Sequence, residues 1–226
     1  MQCGVCGGTK FTIRNVLWDK LVHEWQISRE EAAYIDRQQG ETCDKCGANL
    51  RSIALANALR AFLGTKAFLR EAATSPMGKS LAILEINEAG SLTGVLKTFG
   101  RYSYGAYPEV DMHALPYGEN TFDIVIHSDT LEHIKNPVHA ISEYRRVLKT
   151  NGALCFTVPV IVGRMSRNRE GLPKSYHGNP STMADDFAVQ TEFGADAWTY
   201  ILEAGFTEVT IHSVEYPAAM AFLARR

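Results

Sequence analysis

Two short runs of the chain match each other: "CGVCGG" holds Cys3 and Cys6, and "CDKCGA" holds Cys43 and Cys46. Each is Cys-x-x-Cys followed by glycine. The glycine permits the tight turn in which backbone amides point at sulfur, so two such knuckles supply the four soft ligands of a tetrahedral zinc site. With sulfur at every position the zinc is expected to be structural. A thioredoxin-type dithiol would occur once, between a strand and a helix, whereas this pattern occurs twice. Elsewhere, residues that could do chemistry gather where apolar runs end. They are Glu85 after "AIL", Asp111 in "VDMHALPY", and the stretch "HSDTLEH" from His127 to His133.

The elements that must position these groups follow from periodicity. Between the knuckles, Leu17, Leu21 and Trp25 keep a helical spacing, and Ser28 with Glu31 forms a capping box for a second helix ending before Gly40. "NLRSIALANALRAFLG" predicts a third helix, stopped by Gly64. From residue 80 strands and helices alternate: "SLAILEI", "LTGVLKTF", "RYSYG", "FDIVIHSD", "PVHAISEYRRVLKTNG" and "ALCFTVPV". The ending "DAWTYILEAGF", "TEVTIHSVE", "AAMAFLAR" reads as a helix and two strands. This alternation predicts an α/β fold, a largely parallel sheet with helices on both faces and a reversed edge. Ligands of such sheets sit beyond the carboxyl ends of the strands. Residues 1–75 are expected to form a zinc-binding helical module and residues 76–226 a Rossmann-like domain, with 160–194 as a substrate lid. Cys155 is expected in the core.

The 226 residues are 46% hydrophobic and 21% charged, with a net charge of -2, as in an ordinary globular protein. That balance gives no broad electrostatic case for nucleic acid or anionic membrane. No apolar run approaches the ~20 residues of a membrane span. The start "MQCGVCGG" lacks a signal-peptide pattern, so a cytoplasmic location is expected.

The run from Asp111 to Pro159, "VDMHALPYGENTFD", "FDIVIHSDTLEHI" and "NPVHAISEYRRVLKTNGALCFTVP", resembles class I S-adenosylmethionine-dependent methyltransferases of the type 11 group. The resemblance extends over residues 80 to 213 and implies S-adenosylmethionine as cofactor. It implies that Glu85 approaches the methionine amino group and that Asp111 accepts from the adenine amine, with Met112 giving a backbone contact. His127 and Ser128 are implied to line the methionine and sulfonium end, and His133 to face the transfer site. Where the family loop carries glycines this chain has Asn87, Ala89 and Ser91, all small, with Asn tolerant of the left-handed region. "RYSYG" lacks the acid that holds the ribose, which leaves Tyr104 as the candidate to cover it. Cofactor binding weaker than in fully equipped relatives is expected.

His133 is the first candidate general base, since imidazole takes a proton near neutral pH; a packed helix start is its alternative role. Asp129 either orients His133 or caps the helix after it, and capping is the preferred reading. In the long polar segment after Val160, Arg164, Arg167, Arg169 and Lys174 could grip a phosphate or carboxylate, and His177 in "YHGNP" is the second candidate base. The expected activity is methyl transfer to oxygen or nitrogen of a small polar acceptor: a sugar, a nucleotide-linked glycan or a natural product. A zinc-ribbon RNA methyltransferase and a non-catalytic zinc-stabilised scaffold are the alternatives. A small-molecule or glycan partner is expected, nucleic acid is disfavoured, and a homodimer is admitted.

Overall fold

A computed structural model describes residues 1–176 and 185–226, so His177 and most of "YHGNP" lie outside the described residues. The two knuckles are bridged by a ribbon in which β1 (Phe11–Ile13) pairs antiparallel with β2 (Glu41–Cys43), Phe11 opposite Cys43. Between these strands run α1 (Asp19–Glu24) and α2 (Arg29–Gly40). Ser28 caps α2 with the expected box: its side chain accepts from Glu31 N while the Glu31 carboxylate accepts from Ser28 N. Next come α3 (Leu50–Phe62), capped by Asn49, then α4 (Leu69–Thr74) and α5 (Pro76–Ser80).

The sheet follows: β3 (Ala82–Ile86), α6 (Thr93–Leu96), β4 (Arg101–Gly105), β5 (Phe122–Ser128), α7 (Pro137–Val147) and β6 (Leu148–Thr157). A small second sheet is made by β7 (Val160–Ile161), β8 (Arg167–Asn168) and β9 (Thr191–Gly194), in the order β7-β9-β8. After α8 (Thr199–Glu203), β10 (Val209–Val214) and β11 (Ala219–Arg225) complete the main sheet, whose order is β10-β11-β6-β5-β3-β4. β4, β3, β5 and β6 are mutually parallel, and β11 joins β6 antiparallel. This is the expected Rossmann-like sheet with a reversed edge.

Alternation along the strands divides the interior. Ile83, Ile124, Ile126 and Cys155 face one core with α3, while Leu84, Ile86, Val125 and Phe156 face another with α7. Both faces are buried, which is why the strands read as unbroken apolar runs. The first core continues from Cys3, Val5 and Cys43 through α3 to Leu223. Packing therefore crosses the sequence division at 75/76. The chain leaves β3 for β4 on one side and returns to β5 on the other, so the topological switch lies between the carboxyl ends of β3 and β5. Among the described residues, no helix is long and apolar enough to cross a membrane.

Candidate functional site

The cysteine knuckles are near-copies. Cys3 N donates to Gly8 O and Cys43 N to Ala48 O, both at 2.9 Å; Gly7 N donates to Cys3 O and Gly47 N to Cys43 O, both at 2.8 Å. Gly7 and Gly47 take positive φ, 76° and 74°, the turn for which a glycine follows each pair. The Sγ atoms of Cys3 and Cys46 are 3.7 Å apart, as are those of Cys6 and Cys43, and all four lie within 4.8 Å of one another. A tetrahedron with Zn–S bonds of about 2.3 Å has edges of about 3.8 Å, so the set fits a zinc ion.

At the switch point, the loop after β3 replaces glycines without losing their backbone. Asn87 holds φ +52°, the left-handed region, and donates its N–H to Gly105 O at 2.8 Å. Ala89 has φ -79° and is fully buried, so its methyl is no obstacle to the turn. Glu85 is fully buried and its carboxylate is turned into the loop. It accepts from Ala89 N at 2.7 Å, the Thr93 hydroxyl at 2.6 Å and the Tyr102 hydroxyl at 2.5 Å. Burial and the hydrogen bond to Glu85 push the Tyr102 phenol up. Glu85 thus organises the turn from inside, a different employment from contact with a methionine amino group. Tyr104, two residues along β4 from Tyr102, is exposed at the strand end. Asp111 is half exposed, and its Oδ1 accepts from His113 N at 2.8 Å and lies 3.0 Å from His113 Nδ1. Met112 is buried in the α7-side core.

The end of β5 corrects two expectations. The His127 ring is fully buried between Tyr144 and Phe156, with ring centroids 5.3 and 5.0 Å away, and neither ring nitrogen has a hydrogen-bond partner. Burial drops its pKa to about 3, so the ring is neutral core and lines no ligand site. Ser128 is buried too, its hydroxyl 2.7 Å from that of Thr157. Asp129, at φ +51°, is not the cap of the short helix that follows, whose N-cap is Thr130; its carboxylate pairs with Arg51 of α3 at 2.5 Å and accepts from Gln39 Nε2 at 3.3 Å. His133 Nδ1 is 3.3 Å from Ala188 O, its Nε2 is 3.8 Å from Glu132, and Phe187 meets its ring edge-on.

The candidate anion grip is also spoken for. Arg164 binds Glu31 at 2.9 Å and donates to the carbonyls of Trp25 and Gln26; that pairing holds the Glu31 carboxyl below its usual range. Arg167 and Arg169 both bind Glu192. Trp25 Nε1 donates to Ser175 Oγ at 2.7 Å, and Tyr34 accepts from Val162 N at 3.0 Å. These bonds join α1 and α2 to the second sheet as a roof, with Leu21, Trp25, Ile27, Ile161 and Val189 as its own small core. Beneath the roof is a small cleft with an enclosed space of about 70 Å³. Its walls are chiefly apolar, with Trp18, Trp25, Leu21 and Ile161 among them, and its polar members are Gln38, Gln39 and Arg51. His133 is not among the described residues that line it.

Residues 78–156, which span β3 to β6, match the family model described as a methyltransferase domain. Over those residues the chain is similar to methyltransferase domains. Among solved structures it is similar to an S-adenosylmethionine dependent methyltransferase from Mesorhizobium loti, at 11% identity and a TM-score of 0.48, over 73% of this chain and 100% of that one. It is also similar to a SAM-dependent methyltransferase, possible histamine N-methyltransferase, from Thermotoga maritima, at 14% identity and a TM-score of 0.44, over 78% of this chain and 89% of that one. No curated protein matches it in sequence.

Around the methyltransferase domain, sequence reading missed the residues that come from far away. Arg51 and Ser52, near the start of α3, reach the strand ends: Arg51 pairs with Asp129, and Ser52 Oγ accepts from Ser91 N at 3.3 Å. A signal existed, since Arg51 is a cation in the first turn of a largely apolar helix, where the helix dipole disfavours it, unlike Arg60 in the last turn. Tyr102 shares a face of β4 with Tyr104; the register sets Tyr104 opposite Glu85 and Tyr102 opposite Ile83, so the period of two could have placed Tyr102 diagonal to Glu85 on that face.

Proposed function

We propose that this chain transfers a methyl group from S-adenosylmethionine to a nucleophilic oxygen or nitrogen of a small polar molecule, and that Cys3, Cys6, Cys43 and Cys46 hold a structural zinc. The observation that carries the first reading is the loop after β3. Inside the matched domain, at the switch point, Asn87 reproduces a glycine conformation and Glu85 braces a turn of small residues. Such a turn lets a ligand approach the backbone closely.

S-adenosylmethionine supplies an electrophilic methyl on a sulfonium sulfur, which takes back the bonding electron pair as the acceptor's lone pair forms the new bond. What the chain must add is alignment and exclusion of water. Asp111, half exposed at the far side of β4, is assigned to the adenine amine, and Tyr104 to the ribose side. The backbone of Asn87 to Ser91 and the Ser128 end of β5 flank the methionine end. His133 is the assigned base on the family resemblance. Its Nδ1 lies 3.3 Å from Ala188 O and its Nε2 3.8 Å from a Glu132 carboxylate oxygen, a charge that would favour an imidazolium. His177 is the second assigned base.

Calorimetry of the metal-loaded chain with S-adenosylmethionine and S-adenosylhomocysteine tests the reading. Both are expected to bind, and Asp111→Ala is expected to weaken both by about 1.5–3 kcal/mol. No binding of either to folded protein would overturn methyl transfer and leave a scaffold. His133→Gln is expected to lower turnover with little change in cofactor affinity; an unchanged rate assigns His133 to packing against Phe187 instead.

A further inference from the structure

Two neighbouring residues of α3 each hold one wall of the crevice at the switch point. Ser52 Oγ accepts from Ser91 N at 3.3 Å, in the loop after β3, and a Cβ added at Gly90 would stand 3.0 Å from that oxygen. Arg51 Nη1 pairs with Asp129 at 2.5 Å, in the loop after β5. Both α3 side chains are buried. Asp129 takes φ +51° and donates its N–H to Thr157 O at 3.0 Å, so its backbone is held from β6 and its carboxylate from α3. A residue other than glycine keeps the left-handed region where its surroundings determine it, and such residues gather at functional sites. Arg51 is itself aimed, since Nε and Nη2 donate to Gln38 Oε1 at 3.0 and 2.5 Å. The second knuckle anchors the helix start: Cys43 N donates to Ala48 O at 2.9 Å, and Asn49 Oδ1 accepts from Ser52 N at 2.9 Å. A buried ion pair is a poor source of stability, because apolar residues of similar volume often do as well. What this pair supplies is direction.

We propose that Arg51 and Ser52 are positioning residues: together they set the spacing of the loops after β3 and β5, and through it the affinity of the crevice for cofactor. The effect on affinity rests on the methyl-transfer reading; the hold on the loops does not. Ser52 acts on the backbone of Ser91, and Arg51 acts through Asp129. A cofactor then meets walls already in place, and the ordering entropy that two loose loops would lose on binding is avoided.

The test uses the full metal-loaded chain and two readouts, calorimetric titration with S-adenosylhomocysteine and hydrogen exchange of the ligand-free protein. Arg51→Met and Asp129→Asn are each expected to weaken binding about tenfold, and the double variant about as much as either alone, because one residue acts through the other. Ser52→Ala removes a single acceptor and is expected to weaken binding about threefold. Exchange should quicken over residues 87–92 in Ser52→Ala and over residues 128–131 in Arg51→Met, with the interior of β3 and β5 unchanged. Losses that multiply in the double variant, or Arg51→Met binding as tightly as the unaltered chain, overturn the proposal. Should Arg51→Met fail to fold, Asp129→Asn and Ser52→Ala decide by the same two readouts. If the unaltered chain binds no S-adenosylhomocysteine, methyl transfer falls and exchange alone judges the hold: quickened loops keep it, and unchanged loops overturn it. Tight binding that none of the variants disturbs leaves methyl transfer standing and removes the positioning role.

Discussion

The loop after β3 and the roof above it are held in opposite ways. In the loop, the Glu85 carboxylate gathers donors from Ala89, Thr93 and Tyr102, none more than 17 positions away. In the roof, Arg164 reaches back 133 positions to Glu31, and Trp25 reaches forward 150 to Ser175. The first arrangement forms from a strand, a turn and the neighbouring strand. The second exists only once both ends of the chain are in place. Local contacts of the first kind are inexpensive in loop-closure entropy, and contacts of the second kind wait for the rest of the fold. A roof so held can loosen while the sheet stays intact, which suits a cover over a ligand cleft.

The comparison can be broken at several points, of which the metal site should give the largest effect. Chelation, or Cys43→Ser, is expected to remove one zinc per chain by metal analysis and to lower the melting temperature more than any change below. Structural zinc in small modules contributes on the order of 10 kcal/mol of folding free energy. A zinc-free chain that melts like the untreated one would rule the metal out. Because the cysteines share a core with α3, hydrogen exchange should rise first at the knuckles and then along that helix.

Arg164→Ala comes next. It removes a charged partner of Glu31 and donors to two carbonyls, at a side chain 28% exposed. A loss of about 1.5–3 kcal/mol in denaturant unfolding is expected. Faster exchange should appear in α1, α2 and β7 but not in β3 or β5; equal loosening of both would erase the contrast between loop and roof.

His127 sharpens the picture of the strand ends through pH. Its folded pKa, about 3, lies below the ordinary 6.5, so the unfolded chain binds the extra proton first. Its contribution is complete above pH 6.5 and is lost as pH falls from there toward 3. His127→Phe, which fits between Tyr144 and Phe156, is expected to flatten that acid limb in a series of unfolding titrations. An unaltered limb would assign the acid sensitivity to other groups.

The smallest effect belongs to Asn87. Replacing it with Ala at φ +52° should destabilise by roughly 1–2 kcal/mol, the cost of a left-handed L-residue, while Asn87→Gly should stay within about 0.5 kcal/mol of the unaltered chain. Equal effects of Ala and Gly would mean that the backbone there relaxes.

What sequence reading recovered was what short-range rules determine. The doubled cysteine pairs, the Ser28–Glu31 box, the helix stop at Gly64 and the two-sided strands all appear where spacing placed them. It went astray where a residue's direction mattered. His127 lies near the end of a strand and so looked exposed to ligand, yet it shares the face of Val125 and is packed against α7. The arginines after Val160 looked available because nothing nearby in sequence opposed them. Their partners, Glu31 and Glu192, were distant or separated by the very segment that folds back.

Arg164 has one more consequence, and it concerns time. Its guanidinium fastens the second sheet to α1 and α2 through several bonds on one side chain, so these two halves of the roof part together or stay shut together. A molecule under the roof is freed more readily once that fastening releases. Residence time in the cleft then depends on Arg164, which acts together with the Trp25–Ser175 and Val162–Tyr34 bonds. Cutting it shortens the dwell of bound molecules far more than it alters how well the cleft fits them.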